Sequence, residues 1–76
     1  MIDHEHCGHE FFERHGQFFL TVTCGTVAVF DLTVELTPDE VGAFEREGLD
    51  VVRALADQIR FDPGSYQERH RAGVHP

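Results

Sequence analysis

The densest run of reactive side chains lies at the start of the chain, His4-Glu5-His6-Cys7-Gly8-His9-Glu10, with His15 a few residues further on. Imidazole, thiolate and carboxylate are the donors that Zn2+, Ni2+ and Cu2+ accept, and in an extended segment His4 and His6 project to the same side. His4, His6, Cys7 and His9 are therefore the candidate metal ligands, with Zn or Ni as the ion. Their spacing matches neither the paired cysteines of zinc modules nor the two-histidine helical pattern. A specific site also needs about four ligands oriented by further hydrogen bonds. A solvated tail that takes up metal adventitiously carries more weight than a dedicated site.

Covalent chemistry would need Cys7 or Cys24 beside a histidine that is itself oriented by a third group. The composition supplies six histidines, but no spacing joins one to a thiol. Cys24 shares a strand face with Val22, which favours a buried and inert sulfur. The carboxylate pairs Glu45 with Glu47 and Asp39 with Glu40 point apart around a helix and do not converge as a general acid and base. The sequence has no glycine-rich phosphate loop, Gly-x-Ser-x-Gly turn or dinucleotide fingerprint. The expectation is a noncatalytic protein with no cofactor.

The elements that would position these side chains are legible from the hydrophobic pattern. Residues 1–9 are polar and read as a flexible tail, residues 10–71 as a single small domain, and residues 72–76 as a frayed end. Glu10 to Arg14 and Gln17 to Cys24 read as two extended segments around His15-Gly16, with Gly16 free to take a positive φ. In the second segment Phe18, Leu20, Val22 and Cys24 share one face. A further strand over residues 27–36 puts Ala28, Phe30, Leu32, Val34 and Leu36 on one face in the same period of two.

Thr37-Pro38-Asp39-Glu40 is a helix start, with a hydroxyl at the N-cap, proline at N1 and glutamate at N3. From Val41 to Ile59 the apolar residues keep one helical phase within an arc of about 160°. This predicts one helix of about 23 residues, ~34 Å long, not two helices broken at Gly48. Gly48 lies inside the apolar arc, where close approach of another element would explain it. Arg46, Arg53 and Arg60, beside Asp39, Asp50 and Asp57, read as a solvated face. Asp62-Pro63-Gly64-Ser65 starts a short final helix to about Arg71, with Tyr66 and His70 on its inner side.

The expected fold is thus α+β: a small antiparallel β-meander of two to three strands, one long amphipathic helix on one sheet face, and a short C-terminal helix. One helix covers only one face of such a sheet, leaving Phe12, Phe19, Val27 and Val29 on the other. A homodimer would bury that surplus, so Phe12, Phe19, Val27, Val29 and Gly48 are the expected interface residues.

Charge bounds the partners. The chain of 76 residues has fourteen acidic and six basic side chains, a net charge of −8, and every basic residue is arginine. The one positive cluster, Arg69-His70-Arg71, is too small to hold a phosphate backbone, so nucleic acid and anionic membranes are excluded as partners. The apolar stretch from Phe18 to Leu36 is interrupted by polar residues and does not cross a membrane. The first residues lack the charge and apolar run of a secretory signal, which implies the cytoplasm and free thiols. Three functions fit: a noncatalytic interaction or regulatory module, homodimeric; an acidic immunity or inhibitor protein whose Asp39, Glu40, Glu45, Glu47 and Asp50 cover a basic toxin active site; and a transition-metal-binding protein built on the N-terminal histidines.

Overall fold

The computed structural model describes residues 2–5, 8–24, 30–71 and 73–74, and of His4 and Glu5 the backbone alone. The fold is a small α+β meander. Strands β1 (Asp3–Glu5), β2 (His9–Arg14), β3 (Gln17–Cys24) and β4 (Phe30–Glu35) form one sheet in the order β1-β2-β3-β4, each neighbour antiparallel. Helices α1 (Pro38–Glu47) and α2 (Leu49–Phe61) follow, then a 3-10 helix, Pro63–Arg69.

The strand count exceeds the expected two to three because the polar start of the chain contributes β1. Low apolar content argued for a tail, but backbone pairing does not depend on side-chain hydrophobicity. Asp3, His4 and Glu5 pair with Phe11, Glu10 and His9, and the Ile2 amide donates to the Phe11 carbonyl at 2.7 Å. Between β2 and β3, His15 (φ 53°) and Gly16 (φ 80°) both take positive φ, the two-residue turn whose twist suits a hairpin.

The period of two sets the core. Phe11, Leu20, Val22, Cys24, Leu32, Val34 and Leu36 point to one side and are buried with Val52, Leu55, Ala56 and Ile59 of α2. Phe44 of α1 meets the Phe11 ring edge-on at 5.0 Å between centroids and the Phe18 ring at 5.8 Å. The capping box forms as the sequence predicts: Glu40 N donates to Thr37 Oγ1 at 3.2 Å and Thr37 N to Glu40 Oε1 at 2.9 Å.

The single long helix is not what forms. The chain breaks at Gly48, with φ 86° and ψ −162°, and α2 restarts immediately so that its apolar side meets the same sheet face. Hydrophobic phase registers which face is buried and is blind to a break across which that face is retained. The close approach expected at Gly48 is also absent, since a Cβ built there meets nothing within 4 Å. Glycine is required by the backbone conformation, which other residues rarely adopt.

Candidate functional site

Two regions gather the residues that sequence reasoning singled out. The first is the N-terminal histidine tract. His9, on β2, is buried, and its Nε2 lies 2.8 Å from Asp3 Oδ2 on the neighbouring strand. Arg53, on α2, reaches the same carboxylate with Nε at 3.3 Å and Nη2 at 3.5 Å. The His9 hydrogen bond, outweighing the opposing effect of burial and assisted by Arg53, holds the Asp3 carboxyl below the usual range. The proposed ligand His9 is therefore committed to a strand-to-strand contact, and Arg53, expected on a purely solvated face, completes it.

Of the other proposed ligands, His4 pairs in register with Glu10, and His6 and Cys7 lie outside the described residues. Among the described residues no group of three or more His, Cys, Asp or Glu side chains is placed to hold a metal ion. Cys24 is a free, buried thiol. Burial pushes its pKa up, which works against formation of the thiolate that a nucleophile requires.

The second region is the sheet face turned away from the helices. Phe12 and Phe19 stack there, with centroids 5.7 Å apart. The expectation that a second molecule must cover them is corrected: Phe12 is 1% and Phe19 5% exposed within one chain. After the 3-10 helix the chain turns back along β4. Val34 bridges to His70, Arg71 N donates to the Thr33 carbonyl at 2.7 Å, and Thr33 N donates to His70 Nδ1 at 3.1 Å. Gly73 and Val74 then border a cavity of about 440 Å3 together with Phe19, Arg14, His15 and Gln17. Val27 and Val29, the other expected interface residues, lie outside the described residues.

The charged surface is sorted by these contacts. Arg53 engages Asp3, Arg60 engages Asp57 at 3.1 Å, and Arg69 Nη2 engages Glu40 Oε1 at 2.6 Å. Arg69 also donates to the Glu35 carbonyl at 3.0 Å, clamping the 3-10 helix to β4 and to the start of α1. Burial would raise the Glu40 pKa, but Arg69 and the Thr37 cap together hold it below the usual value. Glu40 is thereby removed from the set of exposed carboxylates in which the sequence placed it. Asp39, Glu45, Glu47 and Asp50 remain exposed around the α1–α2 elbow.

Sequence reasoning missed the Asp3–His9–Arg53 contact and the Glu40–Arg69 clamp. The first joins residues 50 apart and the second residues 29 apart, separations that no local periodicity encodes.

Together these features define a small α+β domain with an acidic helical elbow and a C-terminal segment that returns along β4. No family model, curated protein or solved structure matches the chain. No helix among the described residues is long and apolar enough to cross a membrane.

Proposed function

We propose that this chain is a noncatalytic, cytoplasmic protein–protein interaction module whose acidic elbow docks a positively charged protein surface. The observation that supports this reading is the asymmetric use of charge. Arg53, Arg60 and Arg69 are held in intramolecular ion pairs, while Asp39, Glu45, Glu47 and Asp50 face solvent. Within a chain of net charge −8, the elbow sets these four exposed carboxylates against one exposed cation, Arg46, and a negative field there would steer a cationic partner and repel nucleic acid. An inhibitor or immunity role against a basic active site is the narrower form of this function, with Glu40 excluded from the contact. A metal-binding role would rest on His4, His6 and Cys7 without His9.

Co-expression with the product of the neighbouring gene, followed by size exclusion with light scattering at low and high salt, tests the proposal. The expected result is a complex that weakens as salt rises and that is lost when Glu45→Lys, Glu47→Lys and Asp50→Lys are combined. Absence of a complex, or a complex indifferent to both salt and the three substitutions, overturns it.

A further inference from the structure

Strand β4 ends the sheet, and its outer edge is met at Thr33 by an imidazole in place of a backbone carbonyl. Thr33 stands opposite Thr21 on β3 and turns both of its main-chain groups toward the C-terminal segment. Its carbonyl accepts from Arg71 N at 2.7 Å, and its N–H donates to His70 Nδ1 at 3.1 Å. We propose that His70 is a proton-sensitive latch, which holds residues 70–71 on β4 when neutral and releases them when protonated. The inference is independent of the acidic elbow.

A backbone N–H can only donate, so Nδ1 is the bare nitrogen of the ring and Nε2 carries the hydrogen. Protonation places a second hydrogen on Nδ1. Two donors then face one another, and the contact ends. Imidazole is the side chain that ordinarily changes charge between about pH 5 and 8, and His70 is exposed, so protons reach it directly. Thr33 is buried, and its N–H, once it has lost its acceptor, has to open to water. The docked form therefore binds fewer protons than the released form. Docking is complete at the alkaline end of that range and drains away as pH falls through it.

The charges around the ring give its protonated form an alternative to Thr33. Glu10 of β2, Asp31 of β4 and Arg71 border one cavity of about 240 Å3 with His70, and Glu68 and Arg69 precede it on the 3-10 helix. The two arginines oppose a positive ring, but each has a carboxylate of its own: Arg71 lies 3.9 Å from Glu35, and Arg69 lies 2.6 Å from Glu40. Glu10 and Asp31, from two different strands, attract an imidazolium into the cavity. The release is local, because the Glu40–Arg69 clamp involves no imidazole and keeps the 3-10 helix in place. What opens is the edge of β4, where the N–H and carbonyl of Thr33 lose their partners.

Amide hydrogen exchange followed by NMR on the full chain, between about pH 8 and about pH 5, tests the latch. Protection is read at Thr33 and Arg71, with each rate divided by the intrinsic rate at the same pH. The expected result is a loss of protection of about tenfold, the equilibrium factor of one such hydrogen bond, in step with the ring resonances of His70. The amide of Leu36, which donates to the Phe18 carbonyl on the inner edge of the same segment, should stay protected throughout. His70→Asn sets an oxygen that accepts at any pH near the place of Nδ1 and is expected to keep Thr33 protected at both ends of the range. His70→Phe is expected to leave it unprotected at both. The proposal is overturned if Thr33 is equally protected at both ends, if the loss persists in His70→Asn, or if His70→Phe retains the protection. It is equally overturned if Leu36 loses protection in the same step, which is the result of general unfolding.

Discussion

Replacing Gly48 with alanine separates two accounts of the helical segment by the sign of the effect. In a continuous helix, Gly48→Ala would stabilise the protein by about 1 kcal/mol, because alanine is the better helix former. At φ 86° and ψ −162° the residue occupies a region that is essentially reserved for glycine, and a side chain there costs about 1–3 kcal/mol. Sterics make no further contribution, since a Cβ at this position meets nothing within 4 Å. The whole effect is therefore backbone strain, and we expect a loss of about 2 kcal/mol. For a domain of this size that lowers the thermal midpoint by ~8–16 °C. Urea unfolding followed by circular dichroism supplies the free energy, and an unchanged m-value would show that the unfolded reference is the same. A stabilised Gly48→Ala protein would refute the reasoning, because it would mean that α1 and α2 prefer to run on as one rod.

Acid should destabilise the fold through two carboxylates. Asp3 and Glu40 both titrate below their ordinary values of 3.8 and 4.5, so the unfolded chain binds protons more readily. Stability from these groups is fully present above those values and drains away as pH falls through the lower folded ones. Asp3→Asn and Glu40→Gln should each flatten the acid limb of a pH–stability profile, and an unaltered limb would contradict the assignments. Cys24, buried in the core, should react with a thiol reagent only as fast as the protein opens, so denaturant should accelerate labelling of the Cys7→Ser variant steeply; rapid labelling of that folded variant would refute its burial. Ile59→Ala, which empties a fully buried site between α2 and the sheet, should cost about 2–5 kcal/mol, measured by the same urea unfolding, whereas the exposed Phe61→Ala should change stability by less than about 0.5 kcal/mol.

The parts of this molecule that could be read from sequence are those set by local pattern. Alternation along Gln17–Cys24 gave the core face of β3 residue by residue, and Thr37 with Glu40 marked the first turn of α1 because the capping chemistry is contained in four residues. Three features escaped for a common reason. The strand β1 has no hydrophobic signature, and its Asp3 meets His9 on a neighbouring strand and Arg53 on a distant helix. The break at Gly48 leaves the apolar phase intact. Gly73 and Val74, from the far end of the chain, border a cavity together with Phe19, a juxtaposition that no local pattern announces. The expectation of an external partner for the Phe12 and Phe19 rings followed from counting the apolar faces of regular elements alone, whereas both rings are already buried within one chain. For the candidate metal ligands, donor type was legible, but the prior commitment of His9 to Asp3 was not.

The connectivity of the sheet bears on how fast this protein acquires its structure. Every strand is zipped to the strand that precedes it, and α1 and α2 pack side by side, so most of the native topology is reached by closing short loops. Such nearest-neighbour wiring favours fast folding, with a mixed domain falling between the microseconds to milliseconds of helical bundles and the milliseconds to seconds of all-β folds. The long-range closures are Arg53 to Asp3, across 50 residues, and His70 to Thr33, across 37; the second has to await both the finished meander and the helices. Its late arrival makes the docking of the C-terminal segment on β4 one of the last parts of the fold to form, during each synthesis and each refolding event.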